Sequence, residues 1–281
     1  MILSGRDSQS FARALAGATG TDLAVVETTG FADGEFVVRV PASLSGRAVV
    51  VAATVDDRAH LECLQLQDAA REAGASEVVT VLPYMGYARQ DEAFRDGQPV
   101  SARAVARALS TGTDRVVLVN PHEPGVTEHF TVPAERVDAA PRLARGLPGD
   151  LDDPVFVGPD ASAAGLAETV RDAHGTGEAD HLEKHRDRET GAVTVEAAGC
   201  SVAGRDVVVV DDMVATGGTV SEAVSALADP GRVFVATVHP LLAENARSKL
   251  AAAGVERVLG TDTLERPESA VSAAPSVAGV L

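Results

Sequence analysis

The chain has no tryptophan, two cysteines and, among its 24 basic residues, only two lysines, Lys184 and Lys249. Each shortage excludes something. Cys63 and Cys200 stand far apart without CxxC spacing, which argues against a disulfide framework and against a zinc site. With aromatics at 3% and apolar residues at 45%, the core has to be built from Val, Ala and Leu. No stretch approaches the length and apolarity of a membrane span, and residues 1–17 carry no basic-then-apolar leader pattern, so a cytoplasmic protein is expected. A basic face is missing too: the net charge of −17 argues against nucleic acid or an anionic membrane as partner. Excess carboxylate, arginine in place of lysine and small apolar residues match proteins of salt-loving organisms, where self-repulsion of this size is screened.

What is present centres on residues 207–219, VVVVDDMVATGGT. Four consecutive valines, branched at Cβ and apolar on both faces, predict a buried parallel strand. The strand stops at Asp211 and Asp212. A loop of small residues follows (Ala215, Thr216, Gly217, Gly218, Thr219), and a helical pattern begins near Ser221. In an open parallel sheet, ligands bind beyond the carboxyl ends of strands, where helix N-termini present free N–H groups. Gly217 and Gly218 let the backbone approach a phosphate, and Thr216 and Thr219 add hydroxyl donors. The two carboxylates cannot bind phosphate, but they can accept hydrogen bonds from the vicinal hydroxyls of a ribose. An ordinary strand-to-helix turn with Asp212 as a solvated cap is the plainer reading; the joint occurrence of strand, paired acids and Thr-Gly-Gly-Thr favours the cradle. The stretch resembles the phosphoribosyl-diphosphate motif of type I phosphoribosyltransferases and of ribose-phosphate diphosphokinases.

Elsewhere the chain alternates strand and helix signals. Strands are predicted at 1–4, 23–28, 36–40, 48–53, 78–83 and 115–119. Helices are predicted from Ser8 to about Gly17, over 60–73, and over 102–111 with Ser101 as cap. Asp33-Gly34 between two extended runs is a hairpin signal. Residues 84–98 lose apolar periodicity and carry two arginines, as functional loops do. A turn-rich run at 146–154 is the linker candidate, and the second half repeats the pattern through strands at 155–158, 180–184, 207–210, 232–238 and 257–259. The halves echo each other: Gly46-Arg47 precedes one valine-rich strand as Gly204-Arg205 precedes the other, which points to two related α/β units.

Several segments in order narrow the resemblance to the ribose-phosphate diphosphokinase (phosphoribosyl diphosphate synthetase) family: FADGEFVVRV, LPYMGYARQDEAFRDGQPVSAR, the His122 turn, GPD at 158–160, Lys184-His185-Arg186, the cradle, and ATVH at 236–239. They span nearly the whole chain, and a plain phosphoribosyltransferase would share only the cradle. The resemblance implies an α/β fold of two tandem type I phosphoribosyltransferase-like domains, each a mainly parallel sheet flanked by helices. The domains would be 1–146, on the ATP side with a loop at 84–99, and 147–281, holding the ribose 5-phosphate cradle, with the extreme C-terminus returning to the first domain. It further implies transfer of the diphosphoryl group of ATP to the 1-hydroxyl of ribose 5-phosphate, a Mg²⁺ cofactor and a homo-oligomer.

Residue by residue, the resemblance puts Phe31, Asp33 and Glu35 at the adenine and Arg89, Gln90 and Asp91 at the triphosphate. His122 and Asp160 fall at metal positions, and Asp211, Asp212 and Ala215 through Thr219 at ribose 5-phosphate. Lys184 and Arg186 would stabilise the transition state. Departures from the pattern are Asn120 where the family has aspartate, the turn EPGVTEHF with Phe130 alone of an aromatic pair, Ala161-Ser162-Ala163 where small glycines are usual, and VDDRAHLECL without the family's Pro and Asn. They leave a non-catalytic nucleotide-binding relative as the second reading, with a phosphoribosyltransferase as the third.

Overall fold

The computed structural model describes residues 1–186, 193–197 and 199–281, with the side chains of 184–186 and 193–197 outside that description. It divides into two compact units, Met1–Asp138 with Asp262–Glu265 and Ser272–Leu281, and Ala139–Thr261 with Arg266–Val271.

The first unit holds β1 (Ile2–Ser4), α1 (Gln9–Thr19), β2 (Glu27–Gly30), β3 (Phe36–Arg39), β4 (Arg47–Val51), α2 (Asp57–Glu72), β5 (Glu77–Leu82), α3 (Ser101–Leu109), β6 (Arg115–Val119) and β7 (Ala134–Val137). β1, β4, β5, β6 and β7 lie in that order in one parallel sheet, while β2 and β3 form a separate antiparallel hairpin. Val78, Val79, Val81 and Val116 to Val119 are buried, because a parallel sheet covered on both faces has no wet side. Leu66, Cys63 and Ala70 of α2 and Ala102, Ala106 and Leu109 of α3 cover it, recurring at helical spacing.

The second unit holds β8 (Val155–Gly158), α4 (Ala164–His174), β9 (Glu178–Arg186), β10 (Val193–Ala197), β11 (Val207–Met213), α5 (Gly218–Ser225), β12 (Val233–His239), α6 (Ala246–Ala252), β13 (Arg257–Thr261) and β14 (Ser269–Val271). Its sheet runs β10-β9-β8-β11-β12-β13-β14, parallel except where β10 pairs with β9. The valine run is the centre: all of Val207–Val210 are fully buried between β8 and β12. Correspondingly, β4 lies between β1 and β5 in the first unit, so the Gly-Arg pair precedes an inner strand of each sheet.

Several local expectations are corrected. The strand expected over 23–28 begins only at Glu27: Leu23 makes one bridge to Ile2, Leu23 and Val25 stay exposed, and continuous pairing starts where Arg39 lies opposite Glu27. Ser8 sits at the N-cap of α1, yet its hydroxyl accepts from the Ala53 amide at 2.7 Å instead of capping the helix. Ser101 is the first residue of α3, and its hydroxyl donates to Gln90 Oε1 at 2.5 Å. The units change over between Asp138 and Ala139, so residues 146–154 fall inside the second unit. The 3-10 turn Ala140–Gly146 packs on α4, and a Cβ at Gly146 would meet Val271 at 3.0 Å. After β14 the chain re-enters the first unit, where a short helix α7 (Ala274–Ala278) packs on α1.

Candidate functional site

In the second unit β8 is followed by β9 on one side and then, across the sheet, by β11 on the other. This reversal of strand order opens a crevice at the carboxyl ends of β8 and β11, the usual ligand position in such sheets. Asp160 follows β8 there, and Asp211 and Asp212 lie near the end of β11, which runs on to Met213 instead of stopping at the acids. Asp160 Oδ1 accepts from the Ser162 amide at 2.9 Å and from its hydroxyl at 2.5 Å, closing the 3-10 turn Ala161–Ala163. A Cβ at Gly158 would lie 2.8 Å from the Ala163 carbonyl carbon, so that glycine lets the backbone at the start of α4 close on the end of β8. Asp211 Oδ1 accepts from the Asp212 amide at 2.9 Å. Burial, then the charge of Asp212 and more weakly that of Asp160, pushes the Asp211 carboxyl up to about 8. Asp160 thus lies near enough to the Asp211–Asp212 pair to act on it electrostatically, and burial together with like charge disfavours ionising both members of that pair. The carboxyl of Asp211 can donate or accept, which suits a sugar hydroxyl.

The loop after β11 is tied down along one side by the segment leading into α6. Leu242 N–H donates to Val214 O at 2.9 Å and Ala243 N–H to Ala215 O at 3.0 Å. Lys249, on α6, donates its ammonium to Thr216 O at 3.3 Å. Gly217 takes φ +73° and packs on Ala246, 3.4 Å from the position a Cβ would occupy. It is the N-cap of α5, so the N–H groups of Gly218 and Thr219 have no carbonyl one turn back to bond. Thr216 and Thr219 are exposed while Gly217 is buried. The carbonyls of Val214, Ala215 and Thr216 are engaged from behind, and hydroxyls and first-turn amides are left for an anion.

In the first unit Phe31, Asp33 and Glu35 share the tip of the β2–β3 hairpin. Phe31 N–H donates to Glu35 O at 2.8 Å, Glu35 N–H to Asp33 Oδ1 at 3.1 Å, and Gly34 supplies φ +93°. Phe31 is 51% exposed, as a stacking platform must be. Gln65 of α2 docks the hairpin, donating to Phe36 O at 3.0 Å and accepting from Val38 N–H at 2.9 Å, while Arg58 lies 4.3 Å over the Phe36 ring. Arg89 and Asp91 follow β5, and His122 follows the neighbouring β6, so both leave the same edge of the parallel sheet. Arg89 is exposed, and its guanidinium has no partner among the described residues. Gln90 differs: its amide accepts from Ser101 Oγ and donates to Pro99 O at 3.2 Å, a closure of the 84–99 loop. Asn120, in the left-handed region at φ +35°, donates its amide to Asp138 Oδ1 at 2.8 Å, a bond that an aspartate would replace with repulsion. The backbones of Lys184 and Arg186 lie at the end of β9, and their side chains are outside the described part.

Comparison with known proteins bears on the arrangement. The profile of the N-terminal domain of ribose phosphate pyrophosphokinase matches residues 1–112, and that of the phosphoribosyl transferase domain matches 135–261. Ribose-phosphate pyrophosphokinase of Halobacterium salinarum is 64% identical over 282 residues, with both chains covered completely. The chain belongs to the ribose-phosphate pyrophosphokinase family. Within that family the Methanosarcina mazei protein is 43% identical, covering all of this chain and 94% of its own. The crystal structure of phosphoribosylpyrophosphate synthetase from Mycobacterium smegmatis superposes with a TM-score of 0.83 at 29% identity, over all of this chain and 96% of that one. Two phosphoribosyltransferase-like units with mainly parallel sheets are thus the fold of this ribose-phosphate pyrophosphokinase family member.

Against that background the residues fall into groups. Asp160, Asp211, Asp212 and the stretch Ala215 to Thr219 lie at or just beyond the carboxyl ends of the neighbouring strands β8 and β11 in the second unit, whereas Phe31, Asp33 and Glu35 stand on a hairpin separate from the sheet whose strands β5 and β6 lead to Arg89 and His122. Lys249 was missed by motif reasoning. Its signal was compositional: in a chain with two lysines, the second also stands beside the predicted chemistry. No helix among the described residues is long and apolar enough to cross a membrane.

Proposed function

We propose that the protein passes the β,γ-diphosphoryl group of ATP to the 1-hydroxyl of ribose 5-phosphate, giving 5-phosphoribosyl 1-diphosphate and AMP. The observation that carries this is the crevice at the β8/β11 reversal, where two carboxyls adjoin a loop whose free donors all suit phosphate. In it Asp211 and Asp212 accept from the 2- and 3-hydroxyls, and Ala215, Thr216, Gly217, Gly218 and Thr219 enclose the 5-phosphate. Phe31 stacks on adenine, and Asp33 and Glu35 accept from its exocyclic amine. The guanidinium of Arg89 grips the triphosphate in a bidentate fork, with Gln90 and Asp91 beside it in the ATP site. Lys184 and Arg186 meet the charge that spreads over the transferred group and the departing AMP.

Among the described residues no three His, Cys, Asp or Glu side chains gather closely enough to hold a metal on their own. The carboxylates at the ends of β8 and β11 suit Mg²⁺, which keeps waters and binds through one or two carboxylates plus substrate phosphates. Asp160 offers the hard oxygen donor, and His122 is the second candidate. When bound, Mg²⁺ would neutralise the β- and γ-phosphate oxygens. The same reading makes the protein a cytoplasmic homo-oligomer of a salt-loving cell.

In concentrated KCl with ATP and Mg²⁺, AMP is expected to form only when ribose 5-phosphate is added, as followed by chromatography of the nucleotides. Nucleotide binding without AMP across salt and metal conditions would instead indicate a non-catalytic relative.

A further inference from the structure

Tyr87 is an exposed aromatic in the left-handed region, at φ +63°, two residues before Arg89. For a bulky residue this backbone costs on the order of 1–3 kcal/mol and persists only where its surroundings hold it. Here the holders are visible. Gly86, just before it, donates its N–H to Thr54 O and to Thr54 Oγ1, both at 3.1 Å, and any Cβ at Gly86 would collide with Thr54 O. The Tyr87 hydroxyl donates to Asp57 Oδ1 at 2.6 Å, and its ring lies 5.4 Å from that of His60, tilted by 46°. Asp57 and His60 are both on the first turn of α2. Burial keeps the His60 imidazole below its ordinary pKa against the pull of Asp57 and Asp56, and its buried Nε2 has no partner, so the ring serves as a neutral packing surface. Beyond Tyr87 the chain closes a turn, Gln90 N–H to Tyr87 O at 3.1 Å, with Arg89 inside it.

We infer that Tyr87 and Asp57 form a positioning pair that aims Arg89, the hydroxyl-to-carboxylate bond fixing the left-handed kink from which the guanidinium projects. This rests on the proposed grip of Arg89 on the triphosphate. The pair touches no substrate; it reduces the conformations Arg89 must lose when ATP binds.

The test measures KM for ATP, KM for ribose 5-phosphate, kcat and thermal midpoint in Tyr87→Phe, Asp57→Ala, Asp57→Asn and the Tyr87→Phe/Asp57→Ala double variant, with Arg89→Ala as reference. Tyr87→Phe and Asp57→Ala are each expected to raise KM for ATP about tenfold and to leave KM for ribose 5-phosphate and the midpoint in place. The double variant should be no worse than either single one, because both remove the same bond. Asp57→Asn keeps an acceptor oxygen and should stay within about twofold of the parent. If Arg89→Ala weakens ATP while Tyr87→Phe does not, or if the two single effects multiply, the pair is not a positioning device and the triphosphate reading stands. If Arg89→Ala leaves KM for ATP unchanged, the triphosphate reading fails and the inference fails with it.

Discussion

Replacing Lys184 by alanine is expected to lower kcat by about 10²–10³-fold while KM for ATP and for ribose 5-phosphate move by no more than about threefold. The expectation comes from charge bookkeeping. The reaction spreads negative charge over a transferred group and a departing AMP, and a cation that meets charge only as it develops acts on kcat rather than on binding. In a chain where 22 of 24 cations are arginine, a lysine with no special task would be expected to have given way to arginine. Lys249 has such a task at Thr216 O, and Lys184 stands next to the end of β9, in register with Val195 of β10. Arginine at 184 should restore part of the rate, since it keeps the charge but not the compact ammonium. A variant that loses affinity and turnover equally would make Lys184 a binding cation only.

The second large effect is expected at Gly217. Valine there would have to adopt φ +73° with a branched Cβ placed 3.4 Å from Ala246 Cα, Cβ and O. The loop would have to leave the left-handed N-cap conformation, and the first-turn amides of α5 would no longer converge on one anion. KM for ribose 5-phosphate should rise on the order of 10²-fold, corresponding to about 3 kcal/mol. The residues proposed to grip ATP are on other elements, so nucleotide binding measured by calorimetry should be unchanged. An equal loss for both substrates would indicate general damage to the fold and remove the phosphate from this loop.

Much of this was legible in the residues. Four valines, two acids and a Thr-Gly-Gly-Thr loop state a buried strand and a turn into a helix in one line; β11 runs through both acids to Met213, and α5 begins at Gly218, ahead of Ser221. The Asp33-Gly34 turn was equally direct, since Gly34 occupies a conformation that favours glycine. Where reading failed, the deciding partner was remote. Ser8 and Ser101 sit at helix starts, where a hydroxyl ordinarily caps, but their hydroxyls bond the Ala53 amide and the Gln90 side chain instead, partners remote in sequence. The run at 23–26 has strand composition but only a single bridge, Leu23 to Ile2, before the pairing of β2 begins, and Val25 remains 68% exposed. The kink at Tyr87 had no signal at all, because a tyrosine in the left-handed region is held by Asp57 and Thr54, more than twenty-five residues upstream. Asn120 reads as a lost charge in the sequence and as a donor to Asp138 in the structure.

The central claim is that the sugar's own 1-oxygen captures a diphosphoryl group, and isotope placement tests it most directly. Ribose 5-phosphate carrying ¹⁸O in its 1-hydroxyl, turned over with ATP and Mg²⁺ in concentrated KCl, should give a product whose ¹⁸O-shifted ³¹P signal is that of the phosphorus bonded to C1–O, with unlabelled AMP. Label in inorganic phosphate or in AMP, or ADP in place of AMP, would contradict it.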